Sequence, residues 1–250
     1  MVQQLVNIIL MAVTYQNSGI VREGLVLYWD PSNQRSWLGP NSSTVNNLVA
    51  TINPSNNGDI FNDTSGSYGD KNSFTFDGTD DRIQIHTPGL GNTITVEMWA
   101  KFDTTTRNQI PFGWRYYTIY NRNDNMGFNT GNGDVYGVSA TQISNAGATN
   151  SWTQWVYVMK TDVSYTNNKI YINSVNQTLS QLNASENVGF RNFNSGYGNI
   201  GVYGPSSANS PGAASDSFWL GECGNFKIYN RELSAAEVAQ NYNALKGRFE

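Results

Sequence analysis

The segment Thr93–Phe102 carries the clearest strand pattern in the chain. Every second residue in it is apolar, and those residues are Ile94, Val96, Met98, Ala100 and Phe102. A period of two places them on one face of a β-strand, which we expect to lie in a hydrophobic core. The opposite face is polar except for Trp99, so we expect this tryptophan to lie under a loop or on an exposed surface.

Other short strand patterns run along most of the chain. They cover residues 24–30, 73–77, 82–86, 110–120, 126–130, 134–138, 152–160, 169–175, 197–203 and 218–230. Turns rich in Gly and Asn separate them, whereas residues 31–72 predict a long surface excursion with little regular structure. Charged residues make up only 14% of the chain and aromatic residues 13%, which is typical of all-β proteins with many turns. These features favour an all-β sandwich or a closed barrel.

One helix is predicted, at the C-terminus. Ser234 is placed to cap its first turn, and Glu237 three residues later completes a capping box. Leu233, just before the cap, can pack against Val238 in the helix. Gly247 is expected to end the helix. We expect the helix to dock on the sandwich, where it would cover a sheet edge.

Charge and cysteine content argue against several classes of function. The net charge is −4 and the 15 basic residues are scattered, so binding to the nucleic-acid backbone is not predicted. The single cysteine, Cys223, allows no intrachain disulfide and is expected to be a small buried residue. The apolar stretch Leu5–Val13 is too short to span a membrane. We expect residues 1–20 to form an arm that orders on a partner, and residues 21–250 to form one β-sandwich domain.

Three segments together resemble a known family. They are Gly24–Asn33 (GLVLYWDPSN), Phe74–Ile83 (FTFDGTDDRI) and Phe226–Phe249, which contains FKIYNRELSAAEV and NYNALKGRF. Their order and spacing are similar to those of laminin-G-like domains with the concanavalin A-like lectin/glucanase fold. The resemblance implies an all-β, two-sheet antiparallel jelly-roll sandwich with a short C-terminal helix. The first and last segments look most like the stand-alone domains in virion proteins of tailed bacteriophages.

The resemblance also bears on metal binding. Many members of the wider family have an aspartate two residues before the position of Phe226, and it is often linked to a bound calcium; Gly224 stands there in this chain. Asp77 and Asp81 flank a turn, where aspartate is common for its backbone hydrogen bonds. They offer too few oxygen ligands for a calcium site. We therefore expect no metal or other cofactor, and folding that needs no tightly bound metal.

No catalytic apparatus is predicted, so the chain is not expected to be an enzyme. The one histidine, His86, has no second histidine or cysteine cluster to complete a zinc site, and is expected to be a packing or surface residue. Glycoside hydrolases that share this fold need two facing carboxylates. Glu97 has no acidic partner at positions 95 or 99 of its strand. A glycoside hydrolase or lyase is therefore the third alternative.

The stretch from Trp114 to Asn129 supplies the side chains that glycan binding uses, namely aromatic rings beside amides and a carboxylate. The candidates for contact with a glycan or a protein partner are Trp114, Tyr116, Tyr117, Asn121, Asn123, Asp124 and Asn129. Tyr and Trp suit interfaces because each joins an apolar ring to a polar group. The alternative, which we favour, is that these aromatic rings fill the core or a protein–protein contact.

The leading hypothesis for function is a bacteriophage virion structural protein, a decoration protein that cements capsid subunits on the outside of the head. Its low charge, its high Asn, Ser and Thr content and its apolar N-terminal segment suit an exposed protein that docks on a capsid. The expected partners are the capsid protein, further copies of this chain, with a trimer as the first expectation, and a cell-surface glycan. The chain would be made in the host cytoplasm and reside on the virion surface. The alternative is a carbohydrate-binding adhesin or a tail receptor-binding protein.

Overall fold

The structure is a computed structural model. It describes residues 19–40, 42–49, 58–61, 73–86, 89–103, 106–189, 191–194, 197–204 and 217–250. The predicted arm over residues 1–20 lies outside these ranges except for Gly19 and Ile20. Within these ranges, no helix is both long and apolar enough to cross a membrane.

The described residues form sixteen strands and two α-helices. The strands are β1 (Leu25–Trp29), β2 (Thr44–Val45), β3 (Gly58–Phe61), β4 (Phe74–Asp77), β5 (Arg82–Ile85), β6 (Thr93–Phe102), β7 (Gln109–Trp114), β8 (Tyr117–Arg122), β9 (Asn125–Asn129), β10 (Val135–Val138), β11 (Thr153–Lys160), β12 (Lys169–Ile172), β13 (Val175–Asn176), β14 (Ser180–Asn183), β15 (Gly198–Ile200) and β16 (Leu220–Tyr229). The helices are α1 (Ala140–Asn145) and α2 (Ala235–Phe249), and a short 3-10 helix spans Tyr165–Asn167.

The strands form two antiparallel sheets that pack face to face. The seven-stranded sheet has the order β1–β16–β6–β11–β12–β13, with β4 also paired to β16. The nine-stranded sheet has the order β14–β10–β9–β8–β7–β15–β5–β3–β2. The predicted fold, an antiparallel two-sheet sandwich with a short C-terminal helix, is confirmed.

The core lies between the two sheets and is rich in aromatic rings. All five residues of the apolar face predicted for β6 are fully buried in it. Phe102 of this strand packs edge-on against Trp155 of β11, with the ring centroids 5.9 Å apart. On the nine-stranded sheet, Phe112 packs against Phe226 across the sandwich at 5.8 Å. Cys223 is a buried free thiol in the same core, as predicted.

Helix α2 docks on the outer face of the seven-stranded sheet, so it covers a sheet face rather than an edge. The predicted capping box is present: Ser234 accepts a hydrogen bond from the backbone N–H of Glu237, whose side chain accepts from the backbone N–H of Ser234. Leu233 and Val238 are buried in one apolar cluster with residues of the sheet. The prediction that Gly247 ends the helix is wrong, because the helix continues to Phe249.

The outer face of β6 explains why the last helical turn forms. Trp99 stacks on Phe249 with ring centroids 4.6 Å apart and on Tyr242 at 5.6 Å. These contacts offset the cost of a glycine inside the helix, which is about 1 kcal/mol relative to alanine. The tryptophan that the sequence analysis placed under a loop or on an exposed surface is therefore buried under a helix.

Three other expectations about secondary structure need correction. The predicted strand over 110–120 is a hairpin, because the chain turns at Arg115, whose φ is +50°. Residues 31–72, expected to be irregular, contribute β2 and β3 to the nine-stranded sheet. The helix α1 was not predicted, although Ser139 and Gln142 form a capping box at its start.

Candidate functional site

The β7–β8 hairpin divides the predicted contact residues between the core and the outer surface. Side chains alternate along β8, so that Tyr117 and Ile119 face the core, whereas Thr118 and Tyr120 face outward. Trp114 and Tyr117 are fully buried, and Tyr117 stacks on Phe193 with centroids 5.4 Å apart. Their assignment as glycan or partner contacts is therefore wrong, and the alternative that they fill the core is confirmed.

The polar candidates mostly serve turns. Asn123 and Asp124 have φ values of +51° and +64°, the pattern of a type I′ turn, and they join β8 to β9. Asn129 is buried and accepts a hydrogen bond from the backbone N–H of Gly131 at 2.8 Å. Asn121 is fully buried and faces inward. Asn121 and Asn129 therefore cannot contact a ligand at the surface, whereas Asn123 is exposed at the hairpin tip.

Three tyrosines lie close together on the outer side of the nine-stranded sheet. Tyr116, at the tip of the β7–β8 turn, is 38% exposed. Tyr120 and Tyr203 are partly buried. The pKa of Tyr203 is raised, first by burial and then by the nearby Asp134, Tyr120 and Tyr116. We call Tyr116, Tyr120 and Tyr203 the tyrosine face.

The backbone after β15 places Tyr203 on this face. A Cβ at Gly113 of β7 would lie 2.7 Å from the carbonyl oxygen of Val202, so the glycine lets this segment cross the sheet closely. The amide of Asn199 then donates to the carbonyl oxygen of Tyr203 at 2.6 Å. Because Tyr203 lies 83 positions from Tyr120, no local pattern in the sequence predicts that they meet.

A row of polar and small residues runs across the strands beneath the tyrosine face. Strand pairing sets Asn199 beside Gly113, Gly113 beside Thr118, and Thr118 beside Asn129. Oδ1 of Asn199 and Oγ1 of Thr118 are buried without a hydrogen-bond partner in the described part of the chain. Because both side chains are fully buried, they form the layer beneath the tyrosine face and do not contact a ligand directly.

Arginine side chains flank the tyrosine face. The guanidinium of Arg115 lies 5.3 Å from the ring centroid of Tyr116, within the range of a cation–π contact. The guanidinium of Arg122, on the outer side of β8, donates a hydrogen bond to the carbonyl oxygen of Gly133. The face therefore combines aromatic rings, polar groups and, at its margins, the Arg115 and Arg122 guanidinium groups and the Asp134 carboxylate, a combination suited to hydroxylated ligands.

A concave site lies between α1 and the β12–β13 hairpin. Its volume is about 330 Å³, and its lining residues are Gln142, Asn145, Ala146, Ile172, Asn173, Val175 and Gln177. Gln142 donates to the carbonyl oxygen of Thr178 at 2.9 Å, and Asn173 accepts from the backbone N–H of Gln154 at 3.0 Å. Gln177 donates to the carbonyl oxygen of Val175 at 2.9 Å. Three of its four amide groups are therefore engaged in the fold, and its described lining includes no aromatic ring.

The acidic groups considered for catalysis are held within the fold. Glu97 is fully buried beneath α2, where its Oε1 lies 3.0 Å from Nζ of Lys227 and its Oε2 accepts from Asn241 at 2.5 Å. A substrate has no route to this carboxylate while α2 is docked. His86 pairs with Asp59 at 2.9 Å at the surface of the nine-stranded sheet.

The turn between β4 and β5 holds more carboxylates than the sequence analysis considered. One oxygen from each of Asp77, Asp80 and Asp81 lies within 4.8 Å of the others. Burial raises the pKa of Asp81 to about 6, and the negative charges of Asp77 and Asp80 act in the same direction. Asp80 is the acidic residue that the sequence analysis overlooked.

Comparisons with known proteins agree with the observed fold. A laminin-G-like family described as the concanavalin A-like lectin/glucanases superfamily matches residues 77–239. No curated protein sequence gave a match.

Several solved structures share the fold at low identity. Trypanosoma rangeli sialidase in complex with sialic acid is 13% identical, with a TM-score of 0.59 over 92% of this chain and 34% of the sialidase. The botulinum neurotoxin serotype D binding domain is 13% identical, with a TM-score of 0.54 over 88% of this chain and 51% of that domain. A structure of botulinum neurotoxin type C, a toxin whose cell entry depends on two ganglioside molecules, is 13% identical, with a TM-score of 0.54 over 89% of this chain and 51% of that one. This chain thus spans about half of the toxin chains and a third of the sialidase.

Proposed function

The chain belongs to the laminin-G-like family of the concanavalin A-like lectin/glucanases superfamily, and we propose that it is a carbohydrate-binding protein whose ligand lies on the tyrosine face. The observation that carries the proposal is that Tyr203, where the chain crosses Gly113, joins Tyr116 and Tyr120 on the outer side of the nine-stranded sheet. Two fold neighbours, a sialidase in complex with sialic acid and a neurotoxin that interacts with ganglioside molecules, support the same class of ligand.

The tyrosine face offers what a sugar ring needs. The apolar side of a pyranose packs on an aromatic ring, while its hydroxyl groups take hydrogen bonds from polar groups beside that ring. Tyr116 and Tyr203 supply ring and phenol groups, and Arg115 adds a positive charge beside Tyr116. The cleft beside α1 lacks such a ring, so the described residues favour the tyrosine face.

Glycan-array screening of the full chain, followed by calorimetric titration of the best glycan, tests the proposal. We expect Tyr116→Ser and Tyr120→Ser each to weaken binding about tenfold or more, because buried aromatic contacts dominate binding energy. Val163→Ser is the matched control, since Val163 is also an exposed apolar residue, at 40%. Absence of any glycan binding would contradict the function. Unchanged binding in both tyrosine variants would contradict the site and direct attention to Asn145 of the α1 cleft.

A virion location is a separate proposal, which rests on the resemblance of Gly24–Asn33 and the C-terminal segment to phage virion proteins. We propose that the protein decorates the outside of a phage head and cements capsid subunits. The alternative is a tail receptor-binding protein with the same glycan site. Cryo-electron microscopy of the particle separates them, because a decoration protein gives density at every capsomer and a receptor-binding protein gives density only at the tail.

A further inference from the structure

The turn between β4 and β5 concentrates negative charge in five residues. One carboxylate oxygen from each of Asp77, Asp80 and Asp81 lies within 4.8 Å of the others. Gly78 turns the chain with a φ of +78°, and Asp77 accepts a hydrogen bond from the backbone N–H of Thr79 at 2.7 Å. That hydrogen bond accounts for Asp77 as a turn residue, but it does not account for three converging carboxylates.

The environment of Asp81 is a second and independent observation. This residue is only 2% exposed, and its Oδ2 accepts a hydrogen bond from the backbone N–H of Asp77 at 2.9 Å. Its other oxygen, Oδ1, is buried and has no hydrogen-bond partner among the described residues. A buried carboxylate oxygen without a donor is costly, and a cation at the centre of the cluster would satisfy it.

We propose that this turn binds a hard divalent cation, Ca²⁺ in the first place, through the carboxylates of Asp77, Asp80 and Asp81. Carboxylate oxygens are the ligands that Ca²⁺ and Mg²⁺ prefer. Ca²⁺ tolerates the irregular geometry that a short turn imposes, whereas Mg²⁺ demands a near-ideal octahedron. Water molecules complete the coordination shell.

No positive side chain already takes the place of the cation at Asp77 or Asp81. In the part of the chain that the structure describes, neither residue forms an ion pair within 4.0 Å. Arg107 is close to the turn, but its guanidinium donates to the carbonyl oxygen of Gly78. Arg107 therefore holds the turn backbone.

This site differs from the position that the family resemblance links to calcium. Gly224 stands at that position, and a Cβ there would lie 2.7 Å from Cζ of Phe249 and 3.1 Å from Trp152. On the same strand, the residue opposite Asp77 is Leu220, four positions away. The absence of an aspartate at position 224 therefore does not affect the carboxylates of the acidic turn. This proposal takes the place of the expectation that the chain binds no metal.

Calorimetric titration of CaCl2 into the chelator-treated full chain, with thermal unfolding in parallel, tests the proposal. We expect a dissociation constant of about 1 mM or tighter and a Tm that rises with Ca²⁺ concentration, because a ligand that binds only the folded state stabilises it. Asp80→Asn and Asp81→Asn should each weaken binding at least about tenfold. Asp162→Asn removes one negative charge from an exposed aspartate elsewhere and should bind as the parent does.

The outcomes separate the proposal from a general effect of ions. Absence of binding heat and of a Tm shift in the parent overturns it, and so does an equal shift in the parent and in both carboxylate variants. If Asp81→Asn does not fold, Asp80→Asn carries the test, because Asp80 is less buried. Ca²⁺ binding by Asp80→Asn at the parent affinity overturns the three-carboxylate assignment.

Discussion

Phe249 fills the space that a side chain at position 224 would occupy. A Cβ built on Gly224 would lie 2.7 Å from Cζ of Phe249, well inside van der Waals contact. Gly224 sits at an irregularity in the pairing of β16 with β6, where Cys223 is opposite Ala100 but Asn225 is opposite Trp99. The glycine, the bulge and the last turn of α2 thus form one packing unit on the outer face of the seven-stranded sheet.

Replacement of Gly224 by alanine should destabilise the fold by about 1–3 kcal/mol, because the added methyl group overpacks against Phe249. Gly247→Ala is the control in the same region. Nothing lies within 4 Å of a Cβ at Gly247, so alanine there should stabilise the helix by about 0.5–1 kcal/mol. Urea unfolding of both variants checks the pair. If Gly247→Ala lowered the unfolding free energy as much as Gly224→Ala does, the packing explanation would be contradicted.

The stability contribution of Glu237 should be lost in acid. Hydrogen bonds from the Arg231 guanidinium, together with those from Ser234, hold the pKa of Glu237 at about 2, below its ordinary value of 4.5. A lowered pKa in the folded state stabilises the protein above pH 4.5, and this contribution disappears as the pH falls toward 2. The difference in unfolding free energy between the parent and Glu237→Gln should therefore shrink between pH 6 and pH 2.5.

Ionic strength supplies a control for this pH effect. High salt should reduce the effect at Glu237, because the ion pair with Arg231 is partly exposed. A Glu237→Gln difference that does not change with pH would show that the carboxylate charge contributes nothing.

Removal of both partners of the buried ion pair should cost less stability than the sum of the two single removals. The side chains of Glu97 and Lys227 are fully buried and 3.0 Å apart. Lys227→Met leaves an uncompensated buried carboxylate and should cost about 3–5 kcal/mol. The double variant Lys227→Met with Glu97→Gln should lose less than the sum of the single losses. Denaturant unfolding of the parent, the two single variants and the double variant gives the coupling free energy between Glu97 and Lys227. Strictly additive losses of unfolding free energy would contradict the prediction.

Local signals in the sequence predicted the elements that depend on local physics. The alternation in Thr93–Phe102 identified the core face of β6, and the Ser234–Glu237 box identified the start of α2. Both are patterns of a few adjacent residues. The end of α2 escaped prediction because stacking of Phe249 on Trp99, a contact between distant residues, outweighs the glycine signal at Gly247.

The candidate site escaped prediction in part for the same reason. The residue types in Trp114–Asn129 suggested a binding surface, but the turn at Arg115 decides which rings face outward. Its φ of +50° is uncommon for a residue other than glycine, so the sequence predicts one continuous strand there. Tyr203 joins the tyrosine face only because the chain crosses over Gly113.

Deletion of residues 1–18 should leave the fold stable and, under the proposed virion location, weaken attachment to the particle. The chain is tied to α2 from Gly19 onward: Gln240 donates to the carbonyl oxygen of Gly19 at 2.7 Å, and the backbone N–H of Val21 donates to Asn241 at 2.7 Å. We expect a change in unfolding free energy within about 0.5 kcal/mol. Deletion of residues 1–22 is the control and should destabilise clearly, because it removes both contacts. Unfolding of the shorter deletion would show that the arm belongs to the core.

If the proposed virion location holds, we expect a homo-oligomer, with a trimer as the first expectation, because avidity would strengthen weak contacts on a capsid lattice. Stable interfaces bury about 1,200–2,000 Å², and exposed aromatic residues are common at their centres. Tyr116 is the exposed ring of the predicted contact stretch, whereas Tyr117 is part of the core, so Tyr116→Ser is the variant that tests the surface without damaging the fold. Light scattering over a range of protein concentrations should show an oligomer for the parent and a smaller species for Tyr116→Ser. A parent protein that stays monomeric at high concentration and still decorates particles would contradict the predicted oligomer. An unchanged oligomer in Tyr116→Ser would contradict only the choice of contact surface.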